Sequence, residues 1–122
     1  MIRVAIIGAG IGGQHLDGFR EVSDLFEVRT ICDLDLDRAA SYLRKGETIA
    51  VTDDFATVLA DPEIDVVDIC LPPHLHFSMT KAVLEAGKHA ICEKPLVASL
   101  AETDALIAVA KATGKTIFPV LQ

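Results

Sequence analysis

The chain has 122 residues, of which 51% are hydrophobic and 24% are charged, and its formal net charge at pH 7 is −7. This composition predicts one domain with a packed core and excludes a disordered chain. The acidic charge argues against nucleic acid and anionic membrane surfaces as partners. The sequence contains neither a run of 18 apolar residues nor a signal-peptide pattern. We therefore expect a cytoplasmic protein with no membrane partner.

A glycine-rich turn follows the first predicted strand. The strand is the apolar run 2–7, and residues 8–13 read G-x-G-x-x-G before an amphipathic stretch over 15–22. We expect Gly8 to allow a tight turn, Gly10 to let a diphosphate approach the backbone, and Gly13 to let the helix pack close to the sheet. The helix N-terminus offers N–H groups to the same anion. The pattern predicts dinucleotide binding, and a purely structural turn is the alternative.

An acidic residue ends the second predicted strand, which covers residues 27–32. Asp33 follows Gly13 by 33 − 13 = 20 positions. This spacing is close to the ~20 residues that separate the glycine turn from the acid that hydrogen-bonds the adenosine ribose. We therefore expect Asp33 to accept hydrogen bonds from the ribose of a bound dinucleotide.

Helices and strands alternate along the rest of the chain. The predicted elements are a helix over 35–45, a strand over 48–51, a helix from Asp53–Asp54 to just before Pro62, a strand over 65–71, a helix after 72–74 up to Ala86, a strand over 88–92, a helix from a Ser99/Glu102 capping box to Thr113, and a strand over 115–120. This alternation predicts an α/β fold with a doubly wound parallel sheet of about six strands in the order 3-2-1-4-5-6. The predicted domain spans residues 1–122.

The cysteines and histidines do not show metal-ligand spacing. The three cysteines lack a C-x-x-C pattern, and each falls near the end of a predicted strand. We interpret them as small buried side chains in a reducing compartment and expect no metal site. His74 and His76 are two residues apart and do not share a helix face. His15 and His89 are expected to have structural roles.

Three loops are predicted to meet at the carboxyl ends of the strands, where such sheets bind ligands. They are residues 8–13, 71–76 and 93–95. Lys94 is the lysine at the end of a predicted central strand. Burial and a nearby positive nicotinamide ring would lower its pKa from the ordinary value near 10.4, as a general base requires. A surface lysine is the alternative from position alone.

The run Glu93-Lys94-Pro95, preceded by Ala86-Gly87-Lys88-His89 and by the glycine turn, resembles the Gfo/Idh/MocA oxidoreductase family over essentially the whole chain. The resemblance implies a dinucleotide-binding Rossmann domain with Lys94 as the catalytic residue. It also implies that the cofactor contacts Gly8, Gly10, Ile11, Gly12, Gly13, Asp33, Leu71, Pro72, His76, Glu93 and Lys94. The implied cofactor is NAD, favoured over NADP by Asp33, although Arg38 could serve a 2′-phosphate.

The resemblance implies hydride transfer between the nicotinamide cofactor and a sugar, polyol or related hydroxy or carbonyl substrate. The family's second α+β domain is absent from these residues, so we expect this chain alone to turn over little substrate. The Leu71-Pro72-Pro73 run replaces the Thr-Pro-Asn common in the family and removes two polar contacts. A non-catalytic NAD(P)-binding regulatory or scaffold module is the alternative function. Pairing into a homo-oligomer through an exposed edge strand is left open.

Overall fold

Strands and helices alternate in the computed structural model, which describes residues 1–93 and 100–120, without the side chains of Glu93 and Val120. The strands are β1 (Ile2–Ile7), β2 (Phe26–Cys32), β3 (Ala50–Thr52), β4 (Val66–Ile69), β5 (His89–Glu93) and β6 (Ile117–Val120). The α-helices are α1 (Ala9–Glu21), α2 (Leu36–Ala40), α3 (Phe55–Ala60), α4 (His76–Glu85) and α5 (Leu100–Thr113), and a 3-10 turn covers Pro73–Leu75.

The strands form one parallel sheet in the order β3-β2-β1-β4-β5-β6. The predicted doubly wound α/β fold and its strand order are therefore confirmed. Ile7 lies opposite both Cys32 and Ile69, and Ile69 lies opposite Cys92. Since these four strands end level with one another, the loops that follow them meet at one edge of the sheet. We call it the carboxyl edge, and we call the opposite edge, where Arg3, Asp65 and Lys88 lie, the amino edge.

The sheet is buried on both faces, as the apolar sequence of β1 predicts. Ala5 and Ile7 belong to a core cluster with residues of α3 and α4, whereas Val4 and Ile6 belong to a second cluster with Leu16 of α1. Ile6 is fully buried, and burial of a side chain of this size contributes roughly 1.5–3 kcal/mol. None of the helices in the described residues has both the length and the apolar character that crossing a membrane requires.

Helix α1 begins earlier than the sequence predicts. The amphipathic pattern placed its start near His15, but the helix starts at Ala9, immediately after β1. Gly8 has φ 95° and turns the chain directly from the strand into the helix. The remaining glycines of the motif therefore lie in the helix itself. Packing of the first turn onto the sheet outweighs the low helix propensity of glycine.

Helix α2 is shorter than predicted and β3 begins later. The sequence predicted a helix over 35–45, but α2 ends at Ala40. The Tyr42 carbonyl accepts a hydrogen bond from Arg20 Nη2 of α1 at 2.6 Å, which holds the chain in a turn there. Strand β3 pairs with β2 only from Ala50 onward. Ser99, the first residue of the predicted capping box, lies outside the described residues.

Candidate functional site

The glycine turn is shaped by close contacts at two of its glycines. A Cβ atom at Gly8 would lie 2.4 Å from the Cys70 carbonyl oxygen, and Gly8 also has a positive φ. A Cβ atom at Gly12 would lie 2.7 Å from Cγ2 of Ile6. Gly8 is thus required where α1 meets the end of β4, and Gly12 is required where α1 packs on β1.

Gly13, the last glycine of the G-x-G-x-x-G motif, makes room for a side chain and not for the sheet. A Cβ atom at Gly13 would lie 2.3 Å from Cε1 of Tyr42, which follows α2. The expectation that Gly13 lets the helix approach the sheet is therefore wrong, because Gly12 has that role. No pattern in the sequence indicates that Tyr42 covers the motif.

Gly10 differs from Gly8, Gly12 and Gly13 because nothing in the described residues lies where its side chain would be. A Cβ atom at Gly10 would meet no atom of residues 1–93 or 100–120 within 4 Å beyond its own stretch of helix. Its lack of a side chain is not needed for packing within the domain. Open space above the first turn of a helix is what the close approach of a diphosphate requires.

The Asp33 carboxylate connects the end of β2 to the start of α1. Its Oδ2 accepts a hydrogen bond from the Ala9 N–H at 2.6 Å, and its Oδ1 accepts one from the Asp35 N–H at 2.7 Å. Arg38 Nη2 donates to Oδ2 at 2.9 Å. Burial alone would raise the pKa of Asp33, but these hydrogen bonds and the Arg38 charge lower it below its ordinary value. The carboxylate is therefore ionised at neutral pH and fixes the glycine turn.

Arg38 is the cation beside this carboxylate. Its side chain is 51% exposed, whereas that of Asp33 is 6% exposed. The guanidinium donates a hydrogen bond to Asp33 Oδ2, and about half of the Arg38 side chain faces solvent. This position at the end of β2 allows Arg38 to meet a ligand that approaches Asp33.

Residues 71–76 form the loop between β4 and α4. His76 is 1% exposed, and its Nε2 donates to the Leu71 carbonyl at 2.8 Å. The Leu75 N–H donates to the Pro72 carbonyl at 3.0 Å. His76, predicted as a cofactor contact, thus supports the loop from beneath, and Leu71 and Pro72 form its outer surface.

A cavity of about 410 Å³ lies at the carboxyl edge between these elements. The predicted residues that line it are Gly8, Gly10, Asp33, Leu71 and Pro72, and Arg38 joins them. Ile11, Gly12 and Gly13 lie on α1 outside it. Such a cavity, with a glycine turn, an ionised carboxylate and a helix N-terminus, has the groups that bind a dinucleotide.

The predicted catalytic run lies mostly beyond the described residues. Glu93 is the last residue of β5, and its backbone is opposite Val120 of β6. β5 is parallel to β4, so Glu93 ends its strand at the carboxyl edge. The Glu93 side chain, Lys94 and Pro95 are outside the description, and their roles stay predictions.

The cysteines divide between the two faces of the sheet. Cys32 and Cys92 pack in the cluster beneath α3 and α4, whereas Cys70 packs on the α1 side. Burial raises the pKa of Cys32 to about 11, which keeps it a thiol. Cys70 lies beside His15 and Asp68, an arrangement that the sequence did not predict.

The comparison with known proteins agrees with this geometry. Residues 2–120 match the family model GFO_IDH_MocA, described as an oxidoreductase family with an NAD-binding Rossmann fold. The chain belongs to this family. The resemblance seen in the sequence is confirmed, as are the Rossmann fold and a nicotinamide dinucleotide as the cofactor of the family.

Relatives within the Gfo/Idh/MocA family include characterised dehydrogenases. D-glucoside 3-dehydrogenase of Escherichia coli K12 is 34% identical over 118 residues, covering 95% of this chain and 33% of the relative. The WlbA dehydrogenase of Chromobacterium violaceum, in complex with NADH and UDP-GlcNAcA, has a TM-score of 0.87 and 27% identity, covering 98% of this chain and 34% of WlbA. KijD10, a 3-ketoreductase from Actinomadura kijaniata solved with NADP, has a TM-score of 0.86 and 29% identity, covering 97% of this chain and 36% of KijD10. The chain spans about a third of the length of these relatives.

Proposed function

We propose that this chain binds NAD as the nucleotide-binding part of an oxidoreductase acting on a sugar, polyol or related hydroxy or carbonyl compound. The observation that carries the proposal is the shared cavity at the carboxyl edge, bordered by Gly10, Asp33 and Leu71. Ligands of doubly wound sheets bind outside this edge. The family supplies the class of reaction, since it is a family of oxidoreductases.

The first turn of α1 would hold the diphosphate. The N–H groups of Gly10 and Ile11 belong to this turn, where helix geometry provides no intrahelical acceptor. The Ala9 N–H is already used by Asp33. The helix dipole adds a partial positive charge at the same place. These groups offset the repulsion expected from a chain of net charge −7.

Asp33 would accept hydrogen bonds from the adenosine ribose hydroxyls. An ionised carboxylate at this position repels the 2′-phosphate of NADP, which favours NAD. Arg38 opposes this preference because its guanidinium lies 2.9 Å from the same carboxylate and is half exposed. We therefore propose an NAD preference that Arg38 keeps moderate.

The nicotinamide half would lie over the loop 71–72 and the end of β5. Leu71 and Pro72 would border the ring, and Glu93 would lie beside its ribose. When bound, the nicotinamide accepts or donates the hydride. Lys94 Nζ would take the proton from the substrate hydroxyl during oxidation and return it to the carbonyl during reduction. The run Glu93-Lys94-Pro95 supports this assignment.

The proposed substrate class follows from the relatives. A D-glucoside dehydrogenase is 34% identical to this chain, and WlbA, solved with NADH and a nucleotide sugar, has a TM-score of 0.87. The first protein is named for a glucoside, and the second was solved with a nucleotide sugar. A hydroxyl or carbonyl group on a polyhydroxylated ring is thus the substrate chemistry that we propose.

The cofactor part of the proposal is tested by calorimetric titration of the chain with NAD and with NADP. We expect NAD to bind more tightly. In Asp33→Asn the NAD affinity should fall about tenfold, because one amide oxygen cannot serve both the ribose and the two N–H groups that the carboxylate now holds. The NADP affinity should fall less, since the repulsion between the carboxylate and the 2′-phosphate is removed, so the preference for NAD should narrow. Failure of the wild-type chain to bind either dinucleotide would contradict the proposal.

Substitution of Lys94 distinguishes an enzyme from a regulatory NAD-binding module. In the full gene product, Lys94→Met should abolish NAD reduction with sugars and polyols, while NAD binding is still detected. A protein that binds NAD but reduces none with any of these substrates would favour the regulatory module.

A further inference from the structure

Three potential metal ligands meet beneath the first half of α1. His15 Nδ1 lies 2.6 Å from Asp68 Oδ2 and 3.3 Å from Cys70 Sγ, and Cys70 Sγ lies 3.6 Å from Asp68 Oδ1. One ligand atom from each residue lies within 4.8 Å of the other two, and no second group of this kind occurs in the described part of the chain. We call these residues the His-Asp-Cys cluster.

The spacing of these atoms suits a tetrahedral cation. Zinc in such a site separates its ligand atoms by about 3.3–3.6 Å, given Zn–N and Zn–O bonds near 2.1 Å and Zn–S bonds near 2.3 Å. The distances from Cys70 Sγ to His15 and Asp68 already fall in this range at 3.3 and 3.6 Å. Asp68 presents Oδ1 to Cys70 Sγ but Oδ2 to His15 Nδ1 at 2.6 Å. The His15–Oδ2 contact must therefore open by about 0.7 Å, and the carboxylate must turn so that one oxygen faces the ion. His15 is 19% exposed at its side chain and has room to make this adjustment.

Charge and burial also favour a divalent cation. The Asp68 side chain is 1% exposed, and a buried carboxylate needs a compensating charge. A neutral imidazole, a carboxylate and a thiolate together carry a charge of −2, which a divalent cation cancels. The mixed nitrogen, oxygen and sulfur donors suit a zinc-class ion better than magnesium or calcium, which prefer oxygen alone.

The cluster opens to solvent on one side. His15 and Asp68 line a surface depression of about 280 Å³ with Phe19, Phe26 and Ile91. A fourth ligand, such as water, can therefore reach an ion held by the three side chains. Three protein ligands and one open position form a common zinc arrangement.

We propose that the His-Asp-Cys cluster is a binding site for a zinc-class divalent cation. Binding displaces the hydrogen bonds within the cluster and releases the Cys70 thiol proton to solvent. His15 binds the ion through Nδ1 as a neutral imidazole, with its single ring proton on Nε2. The ion joins α1 to the end of β4. A Cβ atom at Gly12 would lie 3.9 Å from Cys70 Sγ, so the site lies directly under the glycine turn. This proposal does not depend on the proposed cofactor, and it departs from the expectation that the chain has no metal site.

The proposal is tested by adding Co²⁺ to the reduced chain without any dinucleotide. The absorption spectrum of bound Co²⁺ depends on its ligands. We expect a thiolate-to-cobalt charge-transfer band together with the visible transitions of a tetrahedral site. Zinc should abolish the band by displacement and raise the thermal unfolding midpoint. Absence of a thiolate band in the wild-type chain would overturn the proposal, whatever the variants do.

Substitutions identify the residues that produce the cobalt charge-transfer band. Cys70→Ala should lose the band and at least tenfold of the zinc affinity. Cys92→Ala is the matched control, because Cys92 is buried on the opposite face of the sheet and should keep both. Asp68→Asn, with circular dichroism to verify folding, should weaken zinc binding while the band persists at higher cobalt. A band that survives Cys70→Ala and disappears in Cys92→Ala would contradict the site.

Discussion

Charged residues lie at both edges of the sheet, but their partners differ. At the amino edge, Asp65 Oδ2 accepts from the Arg3 N–H at 2.9 Å. Lys88 is 4% exposed, and its Nζ donates to the Asp61 and Ile64 carbonyls at 2.5 and 3.1 Å. These charged groups are bonded to other groups of the protein and connect the chain segments that begin β1, β4 and β5.

At the carboxyl edge, the charges border a cavity instead. Asp33 fixes the glycine turn through the Ala9 N–H and also lines the cavity with Arg38, which is half exposed. Charge alone therefore does not mark a binding site in this fold. A charged side chain that borders the cavity at the carboxyl edge is a candidate for ligand binding. The charged side chains at the amino edge stabilise the fold instead. Variants at the two edges should therefore separate folding from binding.

The largest stability effect is expected at Lys88. Lys88→Met keeps the aliphatic stem but removes the donor for two backbone carbonyls. Unsatisfied buried acceptors should lower the free energy of unfolding by about 2 kcal/mol. Urea unfolding measures this loss, and the NAD affinity of the folded variant should equal that of the wild type.

Lys81→Met is the control for that change. Lys81 is an exposed lysine on α4, so its replacement should alter stability by no more than about 0.5 kcal/mol. Equal stability of the two variants would show that the amino-edge lysine is not structural, and the contrast between the edges would fail.

At Arg38 we expect a smaller effect, and it should change cofactor affinity and not stability. Arg38→Ala removes the cation beside Asp33, so NADP affinity should fall about tenfold relative to NAD while stability is retained. Parallel titrations with the two dinucleotides give this ratio. Arg44→Ala is the control, because Arg44 is 66% exposed and pairs with Asp17 away from the cavity. If the ratio of NADP affinity to NAD affinity is the same in Arg38→Ala as in the wild type, Arg38 does not contribute to the ribose site.

The smallest effect concerns Glu47, which precedes β3 on the amino-edge side. Hydrogen bonds from Arg20 and then the Arg44 N–H lower the pKa of Glu47 from 4.5 to about 2, despite partial burial. The folded state therefore binds this proton less readily than the unfolded chain. The stabilisation is fully present above pH 4.5 and is lost as the pH falls toward 2.

Glu47→Gln should remove this part of the acid dependence. After allowance for solvent screening, the loss at neutral pH should be about 1 kcal/mol. Unfolding free energies of wild type and variant, measured from neutral pH downward, should converge in acid. A constant difference between them at every pH would contradict the role of the Glu47 charge.

The sequence predicted the fold and part of the site because those features depend on local pattern. Alternating apolar strands and amphipathic helices determine the sheet order, and the bounds of β1 match the prediction. Asp33 was found from its spacing after the glycine motif. It was not evident that this carboxylate would bind the Ala9 N–H, since that contact depends on how two loops meet.

Contacts between distant segments account for what the sequence did not predict. Helix α2 ends early because Arg20 binds the Tyr42 carbonyl, and the Tyr42 ring then covers Gly13. His15 and Asp68 are 53 residues apart and carry no recognisable motif. An acid within the otherwise apolar strand β4 was the one available signal for that pair.

The central claim is that the open space over Gly10 receives the diphosphate of NAD. Gly10 and Gly18 offer a matched pair, since both lie in α1 and a Cβ at either would meet no atom of the described residues outside its own stretch of helix within 4 Å. Alanine at either position should fold and stabilise the helix by roughly 0.5–1 kcal/mol. Calorimetry should show NAD affinity reduced about a hundredfold in Gly10→Ala and unchanged in Gly18→Ala. Equal NAD affinity in the two variants would contradict the proposed site.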